Sequence, residues 1–138
     1  MANQYALRGE IPGAHHLRGA LNDSGGTLEK SRFVVGDETS IDYPAADTNV
    51  VYGLLRGTTL DGQMGNVQQF GKGIAQVGAA GATKGHRLTV EAATGKVVDW
   101  GPAAGDNQTI VGIALETGAA DEFIEIEISS IGMIGQGA

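Results

Sequence analysis

The chain has 138 residues and a mass of 14.1 kDa, with 23 Gly, 3 Pro, one Trp and no Cys. Sixteen acids against nine bases leave a net charge of −7, a poor match for nucleic acid, whose affinity for proteins rests on cationic neutralisation of phosphates. The missing thiols exclude disulfides, Cys-ligated zinc, iron–sulfur clusters and a thiolate nucleophile, and a hydrophobic fraction of 41% is too high for a wholly disordered chain.

Residues 1–30 carry the weakest folding signal. Gly9, Pro12, Gly13, Gly19, Gly25 and Gly26 break every candidate helix, and Asn22-Asp23-Ser24-Gly25-Gly26 reads as a turn or linker. Ile11, Leu17 and Leu21 are spaced too thinly for a core. The expected organisation is an extended or flexible N-terminal arm over 1–30 and a β-rich domain over 31–138. The first ten residues lack the apolar centre of a signal peptide, and no run approaches the roughly 18 apolar residues of a membrane span. A soluble protein, held in the cytoplasm until it assembles or is released, is the expectation.

From Phe33 onward short β-prone runs alternate with turns. Phe33-Val34-Val35 and Val50-Val51-Tyr52-Gly53-Leu54-Leu55 are separated by Gly36-Asp37-Glu38 and Tyr43-Pro44, and Thr58-Thr59-Leu60 runs into the tight-turn pair Asp61-Gly62. Arg87–Glu91 alternates, placing Leu88 and Val90 on one face and Arg87, Thr89 and Glu91 on the other. Thr94-Gly95 then turns the chain into Lys96–Trp100, which predicts a hairpin. In Ile110–Leu115 the alternation sets Val111, Ile113 and Leu115 on one face and the small Gly112 and Ala114 on the other. Phe123–Ile128 has period 2 without error, with Ile124, Ile126 and Ile128 inward and Glu125 and Glu127 outward. The repetition of Gly73-Ile74-Ala75…Gly78-Ala79-Ala80 as Gly112-Ile113-Ala114…Gly118-Ala119-Ala120 hints at two related hairpin units. The fold class is mainly β: a compact antiparallel β-barrel or sandwich with hairpins.

Active-site patterns are absent. Gly71-Lys72 and Gly95-Lys96 lack the remaining residues of a phosphate loop, Gln76 stands where a dinucleotide fingerprint needs its third Gly, and no nucleophile elbow or EF-hand spacing occurs. His15 and His16 are adjacent, a spacing that cannot clamp one metal, and His86 reads as an exposed loop residue at a strand start. Glu125 and Glu127 have the separation of a glycosidase pair but sit on the wet face of a strand. Two glycosylation sequons, at Asn22 and Asn107, are read as coincidental. Trp100 is the one candidate platform for a sugar, with Tyr43 and Tyr52 near it only in sequence. No catalytic, cofactor or metal-binding residue is assigned.

The C-terminal half carries a longer pattern: Gly85-His86-Arg87-Leu88-Thr89-Val90, Thr94-Gly95-Lys96-Val97-Val98, Gly105, and Ile110 through Ile126. Over about residues 73–132 this resembles the small capsid decoration (cement) proteins of tailed bacteriophages, whose pattern runs G-x-x-L, G-K-V, V-G-I-A-L-E-x-A, G-E-x-V-x-V. It departs at Asp121, where that family has Gly, and in its longer N-terminal segment. The resemblance implies a homotrimer on the outer capsid surface that binds the major capsid protein and stabilises the shell, with no enzymatic residue, cofactor, nucleic-acid or membrane partner. It also implies a virion location, with the host cytoplasm before assembly. The arm would then order against a shell subunit. The alternatives are a β-rich carbohydrate-binding or adhesin module centred on Trp100, and a small enzyme subunit using Glu125 or His86.

Overall fold

The computed structural model describes residues 17–128 and 133–137, and among them every regular element is a strand. Five strands form the first sheet: β1 (Leu17–Leu21), β2 (Phe33–Asp37), β3 (Ser40–Asp42), β4 (Gly53–Leu55) and β5 (Met64–Gln68), in the order β1-β5-β4-β2-β3. Five more form the second: β6 (Gly71–Gln76), β7 (Arg87–Val90), β8 (Val97–Asp99), β10 (Gly112–Ala114) and β11 (Phe123–Ile128), in the order β6-β11-β10-β7-β8. The remaining pair, β9 (Asn107–Ile110) and β12 (Met133–Gln136), makes a separate ribbon. All strand pairs are antiparallel.

Numbered within each sheet, both orders read first-fifth-fourth-second-third, so the chain makes the same connections twice. The equivalence extends to individual bonds. Each sheet curls until its first and third strands meet at an isolated parallel bridge, Asn22 with Ile41 and Val77 with Val97. Each then bridges its first long loop to the loop before its last strand, Leu28 with Thr59 and Ala82 with Gly118. In the turn entering β5, Gln63 caps the Leu60 N–H with its side chain and donates its own N–H to the Leu60 carbonyl. Glu122 does both to Ala119 before β11. Gly62 and Asp121, both at positive φ, donate to Asn22 and Val77 respectively. Ser31 and Gly85, also at positive φ, donate to Leu55 and Ala114.

Some identities between the two units sit at positions the backbone demands. Gly53 and Gly112 are equivalent, and a Cβ on either would lie 2.5 Å from the Gln68 carbonyl oxygen or 2.2 Å from that of Glu127. Thr58 and Thr117 are equivalent, and their hydroxyls accept the N–H groups of Lys30 and Lys84, themselves equivalent, at 3.3 and 3.0 Å. The repeated Gly-Ile-Ala string is a different matter. Its two copies lie on β6 and β10, flanking β11 within one unit, so the string reflects matching sheet positions and not the repeat.

Two clusters fill the interior. Ala20, Leu28, Val34, Ile41, Leu55 and Val67 pack inside the first unit. The second unit's core (Ala75, Val77, Leu88, Val90, Val97, Val111, Ala114, Ile124, Ile126 and Ile128 among others) also includes Phe33, Val51 and Leu54 from the first. Phe33 and Leu54 are a cross-strand pair on the side of the first sheet opposite Val34 and Leu55. The outer face of one unit therefore completes the core of the other. Backbone bonds reinforce the joint: Gln76 donates to Ser31, Phe33 to Gly95, Ala93 to Pro44 and Thr109 to Asp47. The result is two curled sheets packed in a sandwich-like arrangement, each short of a closed barrel.

Several expectations change accordingly. Residues 17–30 belong to the body and not to an arm: β1 pairs with β5 along its length, and Ala20, Asn22 and Leu28 are buried. Thin apolar spacing misled because a polar residue does the organising. Fully buried Asn22 donates from Nδ2 to the Gly26 and Thr59 carbonyls and accepts the Ser24 N–H and hydroxyl at Oδ1. Residues 1–16, with His15 and His16, lie outside the described residues. The run Ile110–Leu115 is broken at Val111, which is itself buried; beyond it the small Gly112 and Ala114 face inward and Ile113 is exposed. Gly112 faces inward because the Glu127 backbone leaves no room for a side chain. Thr89, which the alternation sets on the face of Arg87 and Glu91, is buried where β9 lies against β7. Thr58–Leu60 contributes one bridge and no strand.

Because Phe33 is fully buried in the joint core, Phe33→Ala is expected to cost about 3–5 kcal/mol. Calorimetry should show the whole domain melting earlier in one transition; a variant whose first unit melts separately would contradict a shared core.

Candidate functional site

The sequence singled out few chemistry-bearing residues, and the structure keeps them apart. His86 and Asp99 meet across the β7–β8 hairpin, with Nδ1 3.4 Å from Oδ2 and both side chains partly exposed. Thr83 donates its hydroxyl to the same Asp99 oxygen at 2.7 Å and its N–H to the other. The carboxylate therefore stands between hydroxyl and imidazole, and Thr83 is tied to the acid instead of to a base. A nucleophile needs the opposite order. Glu125 and Glu127 project from β11 onto the outer face of the second sheet, opposite Ile74 and Lys72 of β6. Among the described residues no group of three or more His, Asp or Glu side chains gathers as metal ligands would.

Trp100 has a structural post. Its ring lies against Gly135 of β12, where a Cβ would come within 2.6 Å of it, while Nε1 donates to the Gln108 carbonyl at 3.3 Å. The Arg87 guanidinium sits 5.9 Å from the ring centroid. The indole thus pins the β9–β12 ribbon to β7. Beside it a shallow polar hollow of about 300 Å³ is lined by Asp47, Asp106, Asn107, Gln108 and neighbours, but Gln108 already bonds Asp47 and the Gly101 N–H. Tyr43 lies elsewhere and is engaged within the first unit: its hydroxyl accepts the Glu29 N–H, and the Arg32 guanidinium lies over its ring.

The outer face of the second sheet is an exposed mixed surface. Lys72, Ile74 and Gln76 of β6, Phe123, Glu125 and Glu127 of β11, Ile113 of β10 and Arg87 of β7 share it by register. Ile74 and Phe123 are each 50% exposed and Ile113 is 37% exposed. Its counterpart on the first unit, around Phe33 and Leu54, is the face buried in the joint core. Where β6 borders the first unit, the surface dips into a cleft of about 500 Å³ lined by Lys30, Ser31, Arg56, Lys72, Gly73, Ile74, Phe123 and Glu125. Nothing local in the sequence marks this cleft, because Lys30, Arg56 and Lys72 are far apart along the chain and meet only through the packing of the two units.

Asp121 explains one departure from the decoration-protein pattern. It occupies a left-handed backbone position at φ 69°, which Gly62 fills in the first unit at φ 85°. A non-Gly residue is strained there, though Asp and Asn tolerate it best. Its carboxylate accepts a 2.6 Å bond from Lys96 of the neighbouring hairpin. That bond, with the ammonium charge behind it, holds the Asp121 carboxyl below its ordinary 3.8.

Comparison with known proteins places this fold. No family model matches the chain, and no curated protein matches it. Among solved structures, the chain is similar to the head fiber gp8.5 N base of bacteriophage phi29, with a TM-score of 0.61 and 15% identity. The match covers 86% of this chain and 98% of that one.

Two outcomes follow from the site geometry. A lowered carboxyl pKa contributes stability that is present above the unfolded value and lost as pH falls through the folded one. Lys96→Met should therefore melt earlier than wild type at pH 7, and the gap should close on acidification below 3.8; a gap unchanged at pH 2 would contradict the pairing. Trp100→Ala should lower stability by about 2–4 kcal/mol, measured by denaturant unfolding, as expected for truncating a large packed aromatic.

Proposed function

We propose that this chain is a structural protein of a bacteriophage virion that binds the outside of the head as a homotrimer and cements the major capsid protein shell. The observation that carries the reading is the fold shared with the phi29 head fiber base along nearly the whole of that chain. The sequence pattern of the second unit, read independently as that of a capsid decoration protein, points the same way. The trimer and the cementing role extend that reading by the chemistry of the surface. An exposed sheet face carrying Ile74, Ile113 and Phe123 among charged residues suits a partner surface better than open solvent.

Cementing needs no catalysis. A ligand that binds only the assembled shell stabilises it by about 4 kcal/mol at a thousandfold excess over Kd, and three linked subunits raise the effective concentration of each contact. Binding would occur after the chain leaves the host cytoplasm's pool of free subunits, on the completed outer surface. The carbohydrate-binding alternative loses its platform, since Trp100 is committed to the β9–β12 ribbon.

The test combines light scattering with co-sedimentation. The purified protein should have three times the 14.1 kDa chain mass and should pellet with undecorated phage heads, raising their melting temperature. The N-terminal contact with a shell subunit is tested by removing residues 1–16 and no more, because deletion through residue 30 would strip β1 and Asn22 from the fold. A monomer that fails to pellet with shells would refute the proposal.

A further inference from the structure

The cleft between the two units concentrates what the rest of the surface lacks. Three of the chain's nine Lys and Arg side chains, Lys30, Arg56 and Lys72, line it, in a protein of net charge −7. Three other cations are engaged: Lys96 with Asp121, Arg32 with Gln76 and Tyr43, Arg87 over Trp100. Lys30, Arg56 and Lys72 are exposed, and no carboxylate among the described residues forms an ion pair with them. Glu125, on the far wall, is the one acid in the lining.

The cleft also has a backbone feature. β6 is an edge strand, and its register with β11 makes alternate residues face away from the sheet. Two of them show the direction: the Gln76 N–H donates to the Ser31 carbonyl, and the Lys72 carbonyl accepts Nε2 of Gln68. Ile74 lies between them with the same orientation. Its N–H and C=O therefore point into the gap between the units, and no hydrogen bond within the described residues meets them. An edge strand with an unmet donor and acceptor is a template for a further strand. Beside it, the half-exposed Ile74 and Phe123 offer apolar contacts for alternate side chains of such a strand.

We propose that this cleft is a docking groove for an extended acidic polypeptide segment of another protein, which pairs with β6 at Ile74 and sets its carboxylates against Lys30, Arg56 and Lys72. A peptide fits better than a nucleic acid: the free backbone pair at Ile74 is met by a peptide's own N–H and C=O, and a phosphodiester has no donor to return. The proposal concerns the cleft alone and stands whether or not the protein sits on a phage head.

The test uses the full chain and a dye-labelled octapeptide of alternating Glu and Val, followed by fluorescence anisotropy. Saturable binding is expected, weakened about tenfold or more by Arg56→Glu or Lys72→Glu, since loss of complementary charge slows encounter and speeds release. Ile74→Pro removes the outward N–H while sparing the bonds to β11, as edge strands tolerate, and should weaken binding similarly with the melting temperature little changed. Should that variant fold poorly, an octapeptide N-methylated at its central residues probes the same bond on wild-type protein. Three results would each overturn the proposal: no saturable binding at millimolar peptide, equal binding of the Lys-for-Glu peptide or of oligothymidylate, or charge reversals that leave affinity unchanged.

Discussion

The burial of Phe33 and Leu54 in the core of the neighbouring unit is the interaction on which the architecture depends. A five-stranded sheet of such short strands encloses too few side chains to stand alone with ease, since small domains bury a smaller share of their surface. Here the second unit's interior is open on one side, and the outer face of the first sheet closes it. The same contact fixes the angle between the units. It thereby brings Lys30 and Arg56 from one unit beside Lys72 and Phe123 from the other.

The repeated connectivity makes the two outer faces comparable. In the first unit the cross-strand pair Phe33–Leu54 is buried; in the second the equivalent pair is Arg87–Ile113, which faces outward. The same strand positions have thus been given a core chemistry in one copy and a surface chemistry in the other. A face that keeps Ile113, Ile74 and Phe123 beside Glu125, Glu127, Lys72 and Arg87 has the composition of an interface rim around apolar contacts, which is how a recognition surface differs from a folding core.

Much of the second unit was legible in the sequence. Phe123–Ile128 alternates cleanly because one side meets a core and the other meets water, and the Thr94-Gly95 turn between two β-prone runs marks the β7–β8 hairpin. The illegible parts share a cause. β5 and β6, Met64-Gly65-Asn66-Val67-Gln68 and Gly71-Lys72-Gly73-Ile74-Ala75-Gln76, lack any clear hydrophobic period. Gly65 and Gly73 stand where side chains from elsewhere in the sheet and its loops occupy the space, Thr59 and Leu55 over one, Leu54 and Gln68 over the other. Periodicity records contact with a generic core, whereas these residues answer to particular neighbours. The inward turn of Gly112 and the exposure of Ile113 come from the same source, since the Glu127 backbone claims the room beside Gly112.

The cleft was illegible for a deeper reason. Its residues come from a loop of one unit and strands of the other, so neither spacing nor motif could join them before the units were packed. Taken alone, the second unit offers Lys72, Ile74, Phe123 and Glu125 as an ordinary solvated face. Adding the first unit changes what those residues can do. Lys30 and Arg56 supply the charge opposite them, while Ser31 and Gln68 take up the β6 edge on either side of Ile74. Among the described residues, what remains unpaired on that edge is left over from the joining of the units, so the joint that stabilises the fold is also what leaves the Ile74 N–H and C=O facing the cleft.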